Sequence, residues 1–535
     1  MTDAPWWRRG VVYEVYVRSF HDASGDGVGD LTGIAGKLDY LAWLGVDAIW
    51  LTPFYRSPMK DFGYDIADYR DVDPLFGTLD DFDRLIAAAH ERGIRVIVDY
   101  VPNHTSDRHP WFLESRSSPT SARRDWYCWR DRAPDGARPN NWVSLFGGPA
   151  WEWDEGTGQY YLHMFLREQP DLNWRNPDVK EAMFDVARFW LDRGVDGFRI
   201  DVAGMVMKDP QYRDNPPRAD TTRRSWFGSE WTQFEHLHDT MHPDVFDVWR
   251  DFRALVDGHG RGDRVTIAEV ANRPLERWAR FYGADGDGVH MPFGFHLLRL
   301  DWDAAQLRSV IDAVEGILPR GAWPNWVLSN HDQPRIASWV GPERARLAMM
   351  LLLTLRGSPT LYYGDELGMT DVPIPRERAQ DPWEGNVAGQ GRDPERTPMP
   401  WDSSPNAGFC PPDVEPWLPL GPAGAGIDVA SQRDDPCSML ALTRELLRLR
   451  REHDALAVGS YMPIDEAPDG CFAWIREWHG ERIAVVLNLS AASVVAPLPS
   501  AGGVLVSTGM DGRERVERGV VTVAPSEGLV VLLDS

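Results

Sequence analysis

The sequence predicts an α/β chain in which eight strand-helix units close a parallel (β/α)8 TIM barrel, an inserted subdomain follows the third strand, and an antiparallel β-sandwich ends the chain. Three observations predict it. Short β-rich apolar runs alternate with amphipathic helical stretches through most of the 535 residues, which is the pattern of successive βαβ units. Roughly seventy residues rich in Trp, Gly, Pro and Asn interrupt the alternation after the third run, too many for a plain loop. Beyond about Arg450 the pattern changes to short runs punctuated by Gly, Pro and Ser, as in antiparallel sandwiches.

Taken in order, residues 11–20, 48–53, 95–101, 197–202, 265–270, 289–292, 327–330 and 360–364 read as the eight buried strands. Helical periodicity lies between them, as at residues 79–86 and 179–191. The barrel is expected from residues 1–104 and 175–455, the inserted subdomain from 105–174, and the sandwich from 456–535, where 483–488 and 528–533 are its clearest strands. No internal repeat or low-complexity tract is visible.

Composition bounds the function. Eighty-one acidic against 56 basic residues give a net charge of −25, which argues against a polyanionic partner such as nucleic acid. Cys128, Cys410, Cys437 and Cys471 lie far apart with no Cys-x-x-Cys spacing, so neither a zinc site nor a disulfide framework is indicated and a reducing compartment is expected. The first ten residues lack the apolar core of a signal peptide, and the longest apolar run, 347–355, is far short of the roughly 20 residues of a membrane helix. A cytoplasmic protein without a membrane partner is the expectation. Twenty-five tryptophans serve either large cores or platforms for ring-shaped ligands.

In such a barrel the reacting groups stand at the C-terminal ends of the strands. Polar residues collect there: Asp99 to His104 after the third run, Arg199 and Asp201 at the fourth, Glu269 at the fifth, and Asn330, His331 and Asp332 at the seventh. Charges on strands of Val, Ile and Leu are costly unless they pair or react. Arg199 and Asp201, two residues apart, share one strand face, so the guanidinium would favour an ionised carboxylate. Two readings fit that pair alone, a structural ion pair or a nucleophile. Several carboxylates around one pocket suggest glycosidic bond cleavage, with one as nucleophile and another as proton donor.

Four segments, Asp99-Tyr100-Val101-Pro102-Asn103-His104, Gly197-Phe198-Arg199-Ile200-Asp201, Ile267-Ala268-Glu269-Val270 and Ser329-Asn330-His331-Asp332, resemble the signature regions of the α-amylase superfamily, glycoside hydrolase family thirteen. A fifth, Gln169-Pro170-Asp171-Leu172-Asn173-Trp174, resembles the form found in its oligo-1,6-glucosidase and α-glucosidase branch. The resemblance covers nearly the whole chain. It implies Asp201 as nucleophile, Glu269 as general acid/base and Asp332 as the third carboxylate, in a retaining mechanism with carboxyls about 5 to 5.5 Å apart. Glu269 must then be protonated while Asp201 is charged, a split that Arg199 would produce by neutralising Asp201.

The same resemblance implies that His104 and His331 bind sugar hydroxyls, while Phe165 either lines the pocket or belongs to the core. The segment Lys60-Asp61-Phe62-Gly63-Tyr64-Asp65 is similar to the loop of exo-acting members in which the Asp matching Asp61 binds the far hydroxyl of the terminal glucose and the Tyr matching Tyr64 stacks under its ring. Arg392, within Gly391-Arg392-Asp393-Pro394-Glu395-Arg396-Thr397-Pro398-Met399-Pro400-Trp401, is the expected partner of Asp61; the alternative is a surface ion pair between them.

In the loop 22–30, Asp22, Ser24, Asp26 and Asp30 stand at positions one, three, five and nine with a glycine at six, like the start of an EF-hand, and Val28 offers its carbonyl. The closing glutamate at position twelve is missing, Gly33 standing there. Branch members bind a structural ion in a similar loop, so Ca2+ is expected ahead of Mg2+, with a plain acidic turn as the alternative.

The sequence therefore points to a retaining exo-acting α-glucosidase that releases terminal glucose from short α-glucosides such as maltose, isomaltose, maltooligosaccharides and aryl or alkyl α-glucosides, with transglucosylation open and a monomer or homodimer as its form. Val202 after the nucleophile resembles branch members with α-1,6 preference, but Ala203 to Met207 depart from their pattern, and both linkages stay open. A disaccharide isomerase such as a trehalose synthase is the rival; the Arg-rich loop associated with sucrose isomerases is not apparent near Leu298 to Asp303. A non-catalytic barrel is the remote one, and the intact set of three carboxylates opposes it.

Overall fold

Eight parallel strands close on themselves in chain order: β1 (Val12–Val15), β2 (Ala48–Leu51), β3 (Arg95–Tyr100), β4 (Gly197–Ile200), β5 (Val265–Ala268), β6 (Met291–Gly294), β7 (Asn325–Val327) and β8 (Ser358–Tyr362). This computed structural model describes residues 4–219, 230–260, 262–270, 274–421, 426–512, 514–517 and 519–534, so residues 1–3 at the start of the expected barrel and residue 535 at the end of the expected sandwich are among those outside it. Apart from Arg95, every residue of the eight strands is buried, because helices cover the outer face and side chains fill the lumen. The capping box of Thr78 and Asp81 starts the helix Leu79–Glu91, and Asn176 with Pro177 starts Pro177–Asp192.

All eight strands depart from the expected bounds by one residue or more, and three of the departures have a local cause or consequence. The run 11–20 is a strand only to Val15, then turns into the short helix Val17–Phe20. Its neighbour β2 stops at Leu51, just before Pro53, which has no N–H for a ladder, so β1 has no partner further on. The seventh strand begins two residues earlier than expected, at Asn325. That polar residue is tolerated because its Nδ2 donates to Ser358 O and Thr360 Oγ1, both at 2.9 Å. The sixth strand runs from Met291 to Gly294, past Pro292 where the sequence reading ended it.

The insertion after β3 holds a small antiparallel sheet of Trp129–Arg130, Gln159–Leu162 and Trp151–Asp154, in that order, around a core that includes Cys128, Trp142, Trp151 and Met164. Its return segment is tied to the barrel by the buried ion pair of Lys208 and Asp171 at 2.5 Å, and Lys208 also donates to Asn103 Oδ1 at 2.6 Å. At the C-terminal end a six-stranded antiparallel sheet faces the pair Val494–Pro497 and Val520–Val523 across a core of Ala473, Val486, Val523, Val531 and neighbours. Its longest hairpin turns at His479 and Gly480, both with positive φ (48° and 89°), as a two-residue turn between twisted strands requires.

Most tryptophans are core. Trp50, Trp142, Trp151, Trp190, Trp249, Trp278, Trp326 and Trp474 are fully buried. Among the described residues no helix is long and apolar enough to cross a membrane.

Candidate active site

A cavity opens at the C-terminal ends of the strands. Of the residues singled out from the sequence, Asp61, Tyr64, His104, Phe165, Asp201, Glu269, Asp332 and Arg392 line it. Val202, Leu145, Phe146, Met205, Phe295 and Trp383 supply apolar wall. Arg199 and His331 lie behind that lining, each 1 % exposed.

Arg199 organises the floor. It faces Asp99 across the β3–β4 ladder and its Nη1 donates to both Asp99 oxygens at 2.8 and 3.0 Å and to Asp201 Oδ1 at 2.9 Å. Its Nη2 donates to Glu269 Oε2. The sequence expectation that Arg199 neutralises Asp201 alone is thereby corrected: one guanidinium serves both carboxyls, because the ladder sets β4 between β3 and β5. Burial, opposed by Arg199, pushes Asp201 well above and Glu269 above the usual carboxylate range, with repulsion from Glu269 adding to the first and from Asp332 to the second. Both carboxyls are thereby drawn toward their protonated forms. Burial raises Asp99 to about 6, still ionised at neutral pH.

Asp332 behaves in the opposite way. Arg392 Nη1 reaches its Oδ1 at 3.1 Å and Arg396 Nη2 at 2.7 Å. These two guanidiniums hold it well below the ordinary range despite burial. It is held as an anion beside two carboxyls drawn toward protonation.

The inner end of the pocket is closed by charge. Arg392 Nη2 donates to Asp61 Oδ1 at 2.7 Å, and Gln169 Nε2 donates to Asp61 Oδ2 at 3.0 Å while lying 3.1 Å from His104 Nε2. Asp61 and Arg392 are 4 % and 6 % exposed, so the pair is internal and the surface alternative does not hold. Asp381, 3 % exposed, fixes the guanidinium from behind through Nε and Nη2 at 2.8 and 2.9 Å. Phe146 and Trp383 bracket it at 5.1 and 5.6 Å from their ring centroids.

The rings follow suit. Phe165 lies 5.0 Å from the His104 ring centroid and 5.7 Å from Phe146, both pocket wall and packing. Tyr64 lies parallel to His331 within 7° and donates to Asp99 Oδ2 at 3.0 Å. Burial lowers His104 to about 3 and holds His331 well below its ordinary value, so both imidazoles are neutral.

A family model described as the α-amylase catalytic domain matches residues 14–459. The chain belongs to the α-amylase family. Within it the chain falls in the branch of oligo-1,6-glucosidases and α-glucosidases. A probable α-glucosidase of Rhizobium meliloti is 42 % identical over 93 % of this chain and 92 % of its own. The crystal structure of the α-glucosyl transfer enzyme XgtA superposes with a TM-score of 0.93 at 41 % identity, covering 99 % of this chain and all of that one. The trehalulose synthase MutB from Pseudomonas mesoacidophila MX-45 superposes with a TM-score of 0.90 at 37 % identity over the whole of both chains.

Sequence reasoning missed Glu14, Asp381 and Arg396 as parts of this α-amylase-family site. Glu14 carried the signal used for the other strands, a charge within an apolar run. Arg396 stood inside a motif already singled out. Asp381 lies in a loop whose sequence offers no periodic or pairing cue.

The loop 22–30 offers only oxygen donors, a set that suits a hard cation. Its carboxylates are turned to backbone N–H groups: Asp22 accepts from Gly25 and Gly27 at 2.6 and 2.8 Å, and Asp30 from Ala23, Ser24 and Gly33 at 2.7 to 2.9 Å. Ser24 donates to Asp22 at 3.1 Å, and the exposed Asp26 accepts from Val28 N–H at 2.9 Å. Gly27 is required there, with φ at +88° and Glu415 O 2.2 Å from any added Cβ. Among the described residues no three His, Cys, Asp or Glu side chains converge closely enough to bind a metal.

Proposed function

We propose that this chain is a retaining, exo-acting α-glucosidase. The observation that carries the reading is the convergence of Asp201, Glu269 and Asp332 on one cavity whose inner end is closed by Asp61 and Arg392. A pocket ended by an internal ion pair admits a chain end and excludes a chain interior.

In this reading Asp201 attacks the anomeric carbon while Glu269 gives its proton to the departing glycosidic oxygen, and a covalent glucosyl ester forms on Asp201. Glu269, now the base, takes a proton from water, whose oxygen displaces Asp201 and releases glucose with its α configuration kept. A sugar hydroxyl in place of water gives transglucosylation. That both carboxyls bond one guanidinium supports the short spacing of retention over the about 6.5–9.5 Å of inversion. The ionised Asp332 stabilises positive charge as it develops on the ring.

The substrates are short α-glucosides, including maltose and isomaltose. Val202, on the pocket wall with φ at +36°, presents a β-branched side chain in a strained conformation next to the bond being broken. Isomerisation of a disaccharide is the second reading, favoured by the likeness to MutB. Purified protein incubated with maltose, isomaltose, sucrose and trehalose separates them by NMR: free α-glucose that Asp201→Asn abolishes is expected. Rearranged disaccharide as the main product would replace the reading, and undiminished activity in that variant would end it.

We also propose that the loop 22–30 takes Ca2+, or Mg2+ in its place, as a structural ion, with Asp26 turning inward to join Asp22, Ser24, Asp30 and the Val28 carbonyl. The oxygen donor set supports this. Because the loop is already held by its own hydrogen bonds, the ion adds to stability and takes no part in the reaction. Calcium should raise Tm in a chelator-treated sample without changing kcat; no shift at millimolar Ca2+ would remove the ion from the account. Four free cysteines, three of them buried, support a reducing cytoplasmic location.

A further inference from the structure

Beneath the cavity sits a carboxyl that the proposed reaction does not use. Glu14, on β1, is fully buried, and its Oε1 lies 2.5 Å from His331 Nδ1 and 3.4 Å from the His331 backbone nitrogen. Among the described residues its Oε2 has no hydrogen-bond partner. A carboxylate left so would be costly, and a neutral carboxylic acid much less so.

The protons can be traced from the other end of the chain of contacts. Asp99 is an acceptor, bonded twice by Arg199 and once by Trp50 Nε1 at 3.3 Å. Tyr64 has a single hydroxyl hydrogen and donates it to Asp99. The phenol oxygen, 2.7 Å from His331 Nε2, is then left to accept, so Nε2 carries a hydrogen. His331 is neutral in this buried setting, which leaves Nδ1 bare. The group facing Nδ1 is Glu14, and a bare nitrogen there requires Glu14 to donate.

We infer that Glu14 is a positioning residue whose protonated carboxyl donates to His331 Nδ1 and thereby fixes the imidazole in the tautomer that aims Nε2–H at Tyr64. His331 Nε2 is also 3.5 Å from Asp332 Oδ2, so one buried acid on β1 orients two residues that line the pocket. The kinetic consequence rests on the α-glucosidase reading; the proton assignment does not.

Two measurements test it. A joint X-ray and neutron structure of the deuterium-exchanged, ligand-free protein at neutral pH should show deuterium on the Glu14 carboxyl and on His331 Nε2. Deuterium on Nδ1 overturns the inference, whatever the activity. In kinetics, Glu14→Gln, whose amide N–H can donate to Nδ1, should keep kcat/KM within about threefold, while Glu14→Leu should lower kcat by about ten- to a hundredfold, the size of other orienting contacts. A Gln variant as impaired as Leu, or a Leu variant as active as the parent chain, would also overturn it. Inactivity of the parent chain on every α-glucoside would instead count against the reading under which those rates are measured.

Discussion

Arg199 faces more negative charge than it can neutralise. With Asp99, Asp201 and Glu269 all within reach of one guanidinium, full ionisation would leave two net negative charges buried, and a retained proton relieves one of them. The pH dependence follows with its sign. Under the proposed roles, Asp201 protonates as pH falls and can no longer attack, and the proton needed on Glu269 is lost as pH rises. Because both carboxyls are raised, kcat/KM should be bell-shaped with both limbs above the ordinary carboxylate values of about 4. Glu269→Gln should remove the alkaline limb along with most of the activity, whereas an alkaline limb that persists in that variant would assign the proton elsewhere. At this scale the sequence was a good guide to which residues meet and a poor one to how they share charge. Asp201 and Arg199 were legible because strand periodicity sets i and i+2 on one face. That Arg199 also serves Glu269 depends on the register of β4 against β5, and no local pattern carries register between parallel strands.

Among the elements, the insertion after β3 has the most consequence, because it brings Phe146, Phe165 and Gln169 over a pocket otherwise built from strand ends. Its existence was readable from length and composition; its attachment was not. Lys208, well beyond the insertion in sequence, ties it down through Asp171 and Asn103. Removing one partner of a buried ion pair strands the other, so Lys208→Ala should cost about 3–5 kcal/mol, measured by urea unfolding. A change below about 1 kcal/mol would mean that the pair is not buried in solution. The same logic explains β7. Asn325 breaks the apolar run at the strand's start, although its amide N–H groups donate to β8.

Across the whole molecule, the sandwich is held against a long barrel helix, Pro342–Thr354. Arg476 reaches back from the sandwich to donate to Thr354 O at 2.7 Å and Gly459 O at 3.0 Å. At Gly528 an added Cβ would lie 2.7 Å from Met350 Sδ and 3.0 Å from Leu347 Cδ2, both on the helix Pro342–Thr354. Gly528→Val should therefore cost about 1–3 kcal/mol by overpacking, read as a lower Tm with kcat unchanged, since the contact is remote from the pocket. A fall in kcat without a change in Tm would contradict that separation. The eight-strand order was legible at this scale because a barrel repeats one local pattern, while the sandwich's strand order depends on long-range pairing that short runs do not specify. The central claim is that Asp201 becomes covalently glucosylated. The most direct measurement is to trap that ester with a slowly turning-over fluorinated α-glucosyl fluoride and map the modified peptide by mass spectrometry. The account predicts one sugar per chain, on Asp201; an unlabelled chain that still consumes the reagent, or a label on any other residue, would contradict it.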